Sequence, residues 1–243
     1  MTRVTRIAMW SGPRNLSTTM MRSFGARADT AVIDEPFYAP FLAITGLNHP
    51  MTEEILARHE TDPGKVIAHL TEGSPGAKPV FYQKHMVHHM VKGIAMDWLD
   101  RIDHHVMLVR HPARVIASYQ KKMETLSLEA IGGQAQLDLW LRLAEVKGAA
   151  PAVVDADRIL AAPEVTLRRL CAALGLAFDP AMLSWTPGPH AEDGVWAPHW
   201  YDAVWTSRGF GEPPGPLPVL AGEAARIEKE ALVSYERLLE GHV

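Results

Sequence analysis

Five short apolar runs constrain this chain more than any other feature: Ile7 to Trp10, Ala31 to Ile33, Val80 to Tyr82, Val106 to Val109 and Ala152 to Val154. None alternates cleanly between apolar and polar residues, as a strand with one wet face would, so the pattern predicts strands buried on both faces. Between them lie helical patterns. The clearest runs from Pro163 to Leu174, with Pro163 in the first turn, Leu167, Leu170, Cys171 and Leu174 at helical spacing, and Gly175 just beyond the end. Weaker patterns cover Ser17 to Arg27, Tyr38 to Ile44, Glu53 to Glu60, Met86 to Asp97, Pro112 to Lys122 and Gln134 to Lys147. Strands alternating with helices predict an α/β fold, a mostly parallel sheet flanked by helices.

After Phe178 the texture changes. Pro180, Pro187, Gly188, Pro189, Gly194, Pro198 and the run Pro213-Pro214-Gly215-Pro216 break all periodicity until a final helix, Ala221 to Leu239. Trp185, Trp196, Trp200 and Trp205 crowd the same stretch. Exposed indoles are costly, so this segment is expected to fold over the rest as an irregular Trp-rich lid or clamp. The layout is one domain over 1–243, with a core of about residues 1–178 and a lid and final helix of about 179–243.

With 24 basic and 28 acidic residues the chain carries a formal net charge of -4, so no general field favours nucleic acid or an anionic membrane, and an anion site must be local. The single cysteine, Cys171, allows no intrachain disulfide and sits on the apolar side of its helix, as a core residue would. The opening Met1-Thr2-Arg3-Val4-Thr5-Arg6 leaves no room for a signal peptide before the first strand, and nowhere do about 18 apolar residues run together. A cytoplasmic protein is the expectation.

The first strand runs into Ser11-Gly12-Pro13-Arg14-Asn15-Leu16-Ser17-Thr18-Thr19 and then a helix containing Met20, Met21 and Phe24. A helix N-terminus after a central strand presents unpaired N–H groups, and hydroxyls beside it add donors for an anion. An ATP loop needs Gly-Lys followed by Ser or Thr, which no frame here supplies. Arg14 with three consecutive hydroxyl residues suits an anion held without an obligatory metal. The plainer alternative is that Ser17, Thr18 and Thr19 merely cap the helix.

A second feature weighs against that alternative. The strand ending Met107-Leu108-Val109 delivers Arg110 at its carboxyl end, and the next helix carries Ser118 two turns in. Carboxyl ends of parallel strands line the ligand crevice, so Arg110 should emerge on the same edge as the first loop and share one phosphate with Ser118.

The run Leu108-Val109-Arg110-His111-Pro112-Ala113-Arg114-Val115-Ile116-Ala117-Ser118-Tyr119 resembles the 3'-phosphate motif of sulfotransferases that use 3'-phosphoadenosine 5'-phosphosulfate (PAPS). Pro13-Arg14-Asn15-Leu16-Ser17-Thr18 resembles their 5'-phosphosulfate loop, with Leu16 in place of the usual glycine. Val153-Val154-Asp155-Ala156-Asp157 and the helix after it resemble a later segment of the family, without its adenine-facing tyrosine. Asp34-Glu35-Pro36, Lys84-His85 and Asp193-Gly194-Val195-Trp196-Ala197-Pro198 are similar to a sulfotransferase-fold group labelled branched-chain aminotransferase-like. That label does not give the chemistry, because no lysine here has a pyridoxal-phosphate context.

The resemblance implies a P-loop-like sulfotransferase fold and transfer of a sulfuryl group from PAPS to a hydroxyl of a small-molecule acceptor, leaving 3'-phosphoadenosine 5'-phosphate (PAP), with no metal. It assigns Pro13 to Thr19, Arg110 and Ser118 to the donor, and Ser207-Arg208-Gly209-Phe210 to a late segment closing on the 3'-phosphate through Arg208 and Gly209. Such transfer needs a cation for the leaving group and a base for the acceptor proton. Arg14 and Lys84 are the candidate cations. The base is Glu35, which Pro36 forces out of helical geometry at a strand edge, or His85; Glu35 is favoured because the family's histidine stands two residues past its lysine and His85 only one past Lys84. His85, His88 and His89 have helical spacing but lack the Cys or carboxylate that would complete a metal set. The alternatives are a small-molecule kinase of the P-loop type and a nucleotide-binding protein without turnover.

Overall fold

The computed structural model describes residues 3–73, 75–121 and 125–243. Its centre is a five-stranded sheet in the order β2-β3-β1-β4-β5. The strands are β1 (Thr5–Ser11), β2 (Thr30–Asp34), β3 (Val80–Met86), β4 (His104–Val109) and β5 (Ala152–Asp155). Every neighbouring pair is parallel. The helices are α1 (Ser17–Gly25), α2 (Tyr38–Thr45), α3 (Thr52–Arg58), α4 (Pro63–Thr71), α5 (Pro112–Tyr119), α6 (Leu128–Ile131), α7 (Gly133–Lys147), α8 (Ala156–Ala161), α9 (Pro163–Ala173), α10 (Ala197–Trp200), α11 (Asp202–Trp205) and α12 (Gly222–Leu239).

The missing alternation in the strands has its explanation in two apolar layers. On one face Ile7, Met9, Val106, Leu108 and Val154 meet Met20, Met21 and Phe24 of α1 and Leu167, Leu170 and Cys171 of α9. On the other, Ala8, Trp10, Met107 and Val153 meet Leu70 of α4, Leu139, Trp140 and Leu143 of α7 and Leu238 of α12. Each fully buried side chain of this kind contributes roughly 1.5–3 kcal/mol of transfer free energy. Burial pushes the Cys171 thiol up, as its core position requires.

One expectation needs correction. The stretch Met86 to Asp97 is not a helix: β3 runs on to Met86, and only short 3-10 turns follow at Val87–His89 and Asp97–Arg101. Ahead of β3 stands an unexpected α4, opened by Asp62, whose carboxylate caps the amides of Gly64 and Lys65, with Pro63 in the first turn. The α5 pattern ends at Tyr119, and its expected end at Lys122 lies outside the described residues, as do Met1 and Thr2.

The chain leaves β1 toward β2 and leaves β4 toward β5, so these adjacent strands diverge and open a crevice at their carboxyl ends. The C-terminal segment packs against α2 and α3, where Trp196, Ala197 and Tyr201 join Tyr38, Phe41, Leu42 and Ile55 in a small core. Among the described residues no helix is long and apolar enough to cross a membrane.

Candidate active site

The loop after β1 is shaped by backbone conformation. Arg14 and Leu16 have φ of 62° and 66°, left-handed values that favour glycine. Leu16 occupies the N-cap of α1 with no side-chain cap, so Ser17, Thr18 and Thr19 do not cap this helix and its first amides stay open. Leu16, standing where the resembling loops carry glycine, adopts the glycine-like geometry. Gly12 allows close passage: a Cβ there would lie 3.0 Å from the Ile131 carbonyl oxygen. Pro13 packs beside Gly132, its Cδ being 3.4 Å from where a Cβ on Gly132 would sit. Asn15 is a strut, since its Nδ2 donates to the Leu108 carbonyl at 3.1 Å and to Gln136 Oε1 at 3.4 Å.

Arg14 turns toward α5, where its Nε donates to Ser118 Oγ at 2.9 Å. Arg110 Nη1 donates to the Arg14 carbonyl at 3.0 Å. The loop and the Arg110–Ser118 pair therefore face one crevice and touch each other. Asp157 binds Arg114 Nε at 2.5 Å and stands 3.7 Å from Arg110 Nε. Two guanidiniums, Arg110 and Arg114, thus face one carboxylate with Arg14 close by, a local positive field inside an acidic protein. Burial lowers the affinity of both Arg14 and Arg110 for their protons. Arg110 Nε and Asp157 Oδ1 are buried without hydrogen-bond partners.

Arg208 and Gly209 are not brought to this cluster by any contact. Arg208 is exposed, its carbonyl accepts from the Trp185 amide at 3.1 Å, and Gly209 bridges Ser184. The part of the C-terminal segment that does arrive is Gly215 and Pro216, whose carbonyls accept from Arg114.

A second centre, without arginine, lies at the ends of β2 and β3. Lys84 Nζ donates to Asp34 Oδ1 at 2.8 Å, Glu35 Oε1 at 2.7 Å and the Tyr201 hydroxyl at 2.6 Å. The Tyr201 hydroxyl donates to Asp34 Oδ2 at 2.7 Å and accepts from Trp196 Nε1 at 3.1 Å. Glu35 has a φ of 40°, held by its amide on the Lys84 carbonyl at 3.0 Å. Burial drives the Glu35 carboxyl above the usual carboxylate range, Lys84 pulls it back and Asp34 adds to the rise. The two carboxylates hold the Lys84 ammonium well above its ordinary value despite burial.

His85 points the other way. Side chains alternate along a strand, so one residue past Lys84 means the opposite face. There His85 stacks on Trp10 at 4.3 Å, with its Nε2 3.1 Å from Gln83 Oε1, and burial pushes its pKa down to about 3. The histidine that does approach Glu35 is His89, at 3.9 Å from Oε2 and stacked on Tyr38. Asp34 had no role-bearing signal in sequence beyond lying in a resembling stretch, and His89 stood out there only for its helical spacing with His85 and His88. Among the described residues no group of three or more His, Cys, Asp or Glu is placed to hold a metal ion. A cleft of about 420 Å³ opens beside β2, lined in part by Asp34, Pro36, His59, Lys65, His69 and Gly194.

The family model described as "Sulfotransferase domain" matches residues 5–238. "Branched-chain-amino-acid aminotransferase-like protein 1" of Arabidopsis thaliana is 41% identical over 207 residues, and the aligned part is 85% of this chain but only 37% of that protein. Among solved structures, the "Sulfotransferase Domain from the Curacin Biosynthetic Pathway" superposes with a TM-score of 0.56 at 16% identity, over 95% of this chain and 98% of that one. A sulfotransferase from Alicyclobacillus acidocaldarius gives a TM-score of 0.58 at 12% identity, over 97% and 94%. These structures share the fold, and the matched span shows that the chain belongs to the sulfotransferase domain family.

Proposed function

We propose that this chain transfers a sulfuryl group from PAPS to a hydroxyl of a small-molecule acceptor in the cytoplasm. The observation that carries the reading is the direct joining of two oxyanion cradles, Arg14 Nε on Ser118 Oγ at 2.9 Å and Arg110 on the Arg14 carbonyl at 3.0 Å. A ligand with phosphate-type groups at both ends of one nucleoside suits such a pair. The unpartnered Arg110 Nε and the uncapped start of α1 are donors waiting for acceptors, which supports the fit.

In this reading the open amides and hydroxyls of Ser17, Thr18 and Thr19 hold the 5' end, while Arg110, Ser118 and Arg14 hold the 3'-phosphate. PAPS supplies a sulfuryl group already activated on a phosphate leaving group. Glu35 takes the acceptor proton as the new oxygen–sulfur bond forms and the bond from sulfur to the bridging phosphate oxygen breaks, PAP leaving with its new 5'-phosphate charge at the open amides of α1; the raised pKa of Glu35 suits a base. The cleft beside β2 is of small-ligand size and is lined by Asp34 and Pro36, the sequence neighbours of Glu35, though not by Glu35 itself. Thermal-shift titration tests the donor assignment: PAP without magnesium should raise the melting temperature, whereas a rise only with ATP and magnesium would replace this reading by a kinase. A product-mass screen of alcohols and phenols with PAPS should then find a sulfate adduct.

A further inference from the structure

An ammonium has three N–H groups, and Lys84 has used all three. Its acceptors are Asp34 Oδ1, Glu35 Oε1 and the Tyr201 hydroxyl, at 2.8, 2.7 and 2.6 Å. The acceptors are equally committed. Asp34 Oδ2 takes the Tyr201 hydroxyl at 2.7 Å and the Gly194 amide at 3.1 Å, and the Tyr201 oxygen also takes the Trp196 indole. The side chains of Lys84 and Asp34 are each 1% exposed, so no approach is left for a leaving-group oxygen. Glu35 alone reaches the surface, at 12% exposure, and among the described residues no hydrogen bond is seen on its Oε2, His89 Nε2 standing at 3.9 Å.

We infer that Lys84 is a positioning residue: with Asp34 and with Tyr201 from the C-terminal segment, it anchors Glu35 Oε1 so that Oε2 is turned to the acceptor, and it does not touch the sulfuryl donor. This rests on the function proposed above. The arrangement gives the C-terminal segment a part in the chemistry, because Tyr201 and Gly194 complete the setting that starts at β2 and β3. The backbone agrees, since Glu35 is held at φ 40° by its amide on the Lys84 carbonyl and its carbonyl under the Tyr38 amide at 2.9 Å. The charged or titratable groups facing Glu35 are Asp34 from β2, Lys84 from β3, Tyr38 from α2, His89 from the turn after β3, and Tyr201 from the α10–α11 junction.

The experiment compares wild type with Lys84→Met and Tyr201→Phe by three readouts. Calorimetric PAP affinity should stay at the wild-type value in both variants. The acid limb of the kcat profile should move to higher pH, because Glu35 loses its ammonium or has it loosened, and kcat at neutral pH should fall by about 100-fold in Lys84→Met. The Glu35 carboxyl, followed by carbon-13 NMR and assigned with Glu35→Gln, should titrate at higher pH in the variants. Loss of PAP affinity with an unmoved acid limb and an unmoved Glu35 titration overturns the inference and returns Lys84 to the donor. If Lys84→Met fails to fold, as removal of one partner from a buried pair can cause, Tyr201→Phe decides by the same readouts. Should wild type neither bind PAP nor turn over, the sulfotransfer reading fails, while the NMR titration still decides whether Lys84 sets Glu35; an unmoved carboxyl then overturns the inference on its own.

Discussion

Two polar clusters at the carboxyl edge of one sheet are built on opposite terms. Around Lys84 every valence is filled, from the ammonium through Asp34 to the Tyr201 hydroxyl. Around Arg110 the valences are open: its Nε and Asp157 Oδ1 are buried and unpartnered, and α1 begins without a cap. Unmet buried donors cost stability, so a fold keeps them where a ligand supplies the missing acceptor. Filled networks instead hold geometry. Charge alone would have ranked Lys84 and Arg110 together; completeness of hydrogen bonding separates a residue that positions from one that binds.

The sharpest break of this comparison is Glu35→Gln, which leaves Lys84 an acceptor oxygen but removes the base. Turnover should fall by about 10²- to 10⁴-fold with PAP affinity unchanged. Equal losses in both would move Glu35 to the binding side. In wild type the raised carboxyl also sets a pH dependence: the base works when ionised, so activity should be lost as pH falls through a value above the ordinary carboxylate range. A kcat profile flat down to the range of exposed carboxylates would contradict it.

Next in size is Arg110→Ala. A charge-assisted contact to a phosphate contributes about 1.5–3 kcal/mol, so PAP should bind roughly 10- to 100-fold more weakly. Because Arg110 carries no filled network, thermal stability without ligand should change little. The opposite result, weak protein and intact PAP binding, would make the Arg110 cluster a structural one.

A single-residue comparison shows what the chain's order discloses and what it hides. The strand runs, the phosphate loop and the spacing of Arg110 to Ser118 are local patterns, and local hydrogen bonding and burial make them readable. The partners of Lys84 lie 50 and 117 residues away at Asp34 and Tyr201, and no spacing rule reaches that far. His85 stands next to Lys84 in sequence yet on the other face, because β3 extends past its expected end at Tyr82 to Met86 and side chains alternate along it. His85→Phe keeps the stack on Trp10 and strands Gln83 Oε1 without its partner. Stability should drop by about 1–3 kcal/mol in chemical denaturation, with the pH profile of turnover unmoved. A shifted acid limb would bring His85 back as a base.

The smallest effect belongs to Leu16, the departure that made the phosphate loop hardest to read. Its φ of 66° is the conformation a glycine there would take, so the amides after it point as they would in a glycine-bearing loop. Holding a non-glycine residue in that region costs about 1–2 kcal/mol. Leu16→Gly relieves that cost but adds freedom to the unfolded chain and removes a half-buried side chain, so the terms nearly offset. PAP affinity and melting temperature should both stay close to wild type. Leu16→Val keeps an apolar side chain of similar bulk while β-branching penalises the left-handed region, so it should weaken PAP binding through the backbone alone. Equal PAP affinity in the glycine and valine variants would mean that the open amides at the start of α1 do not hold the anion.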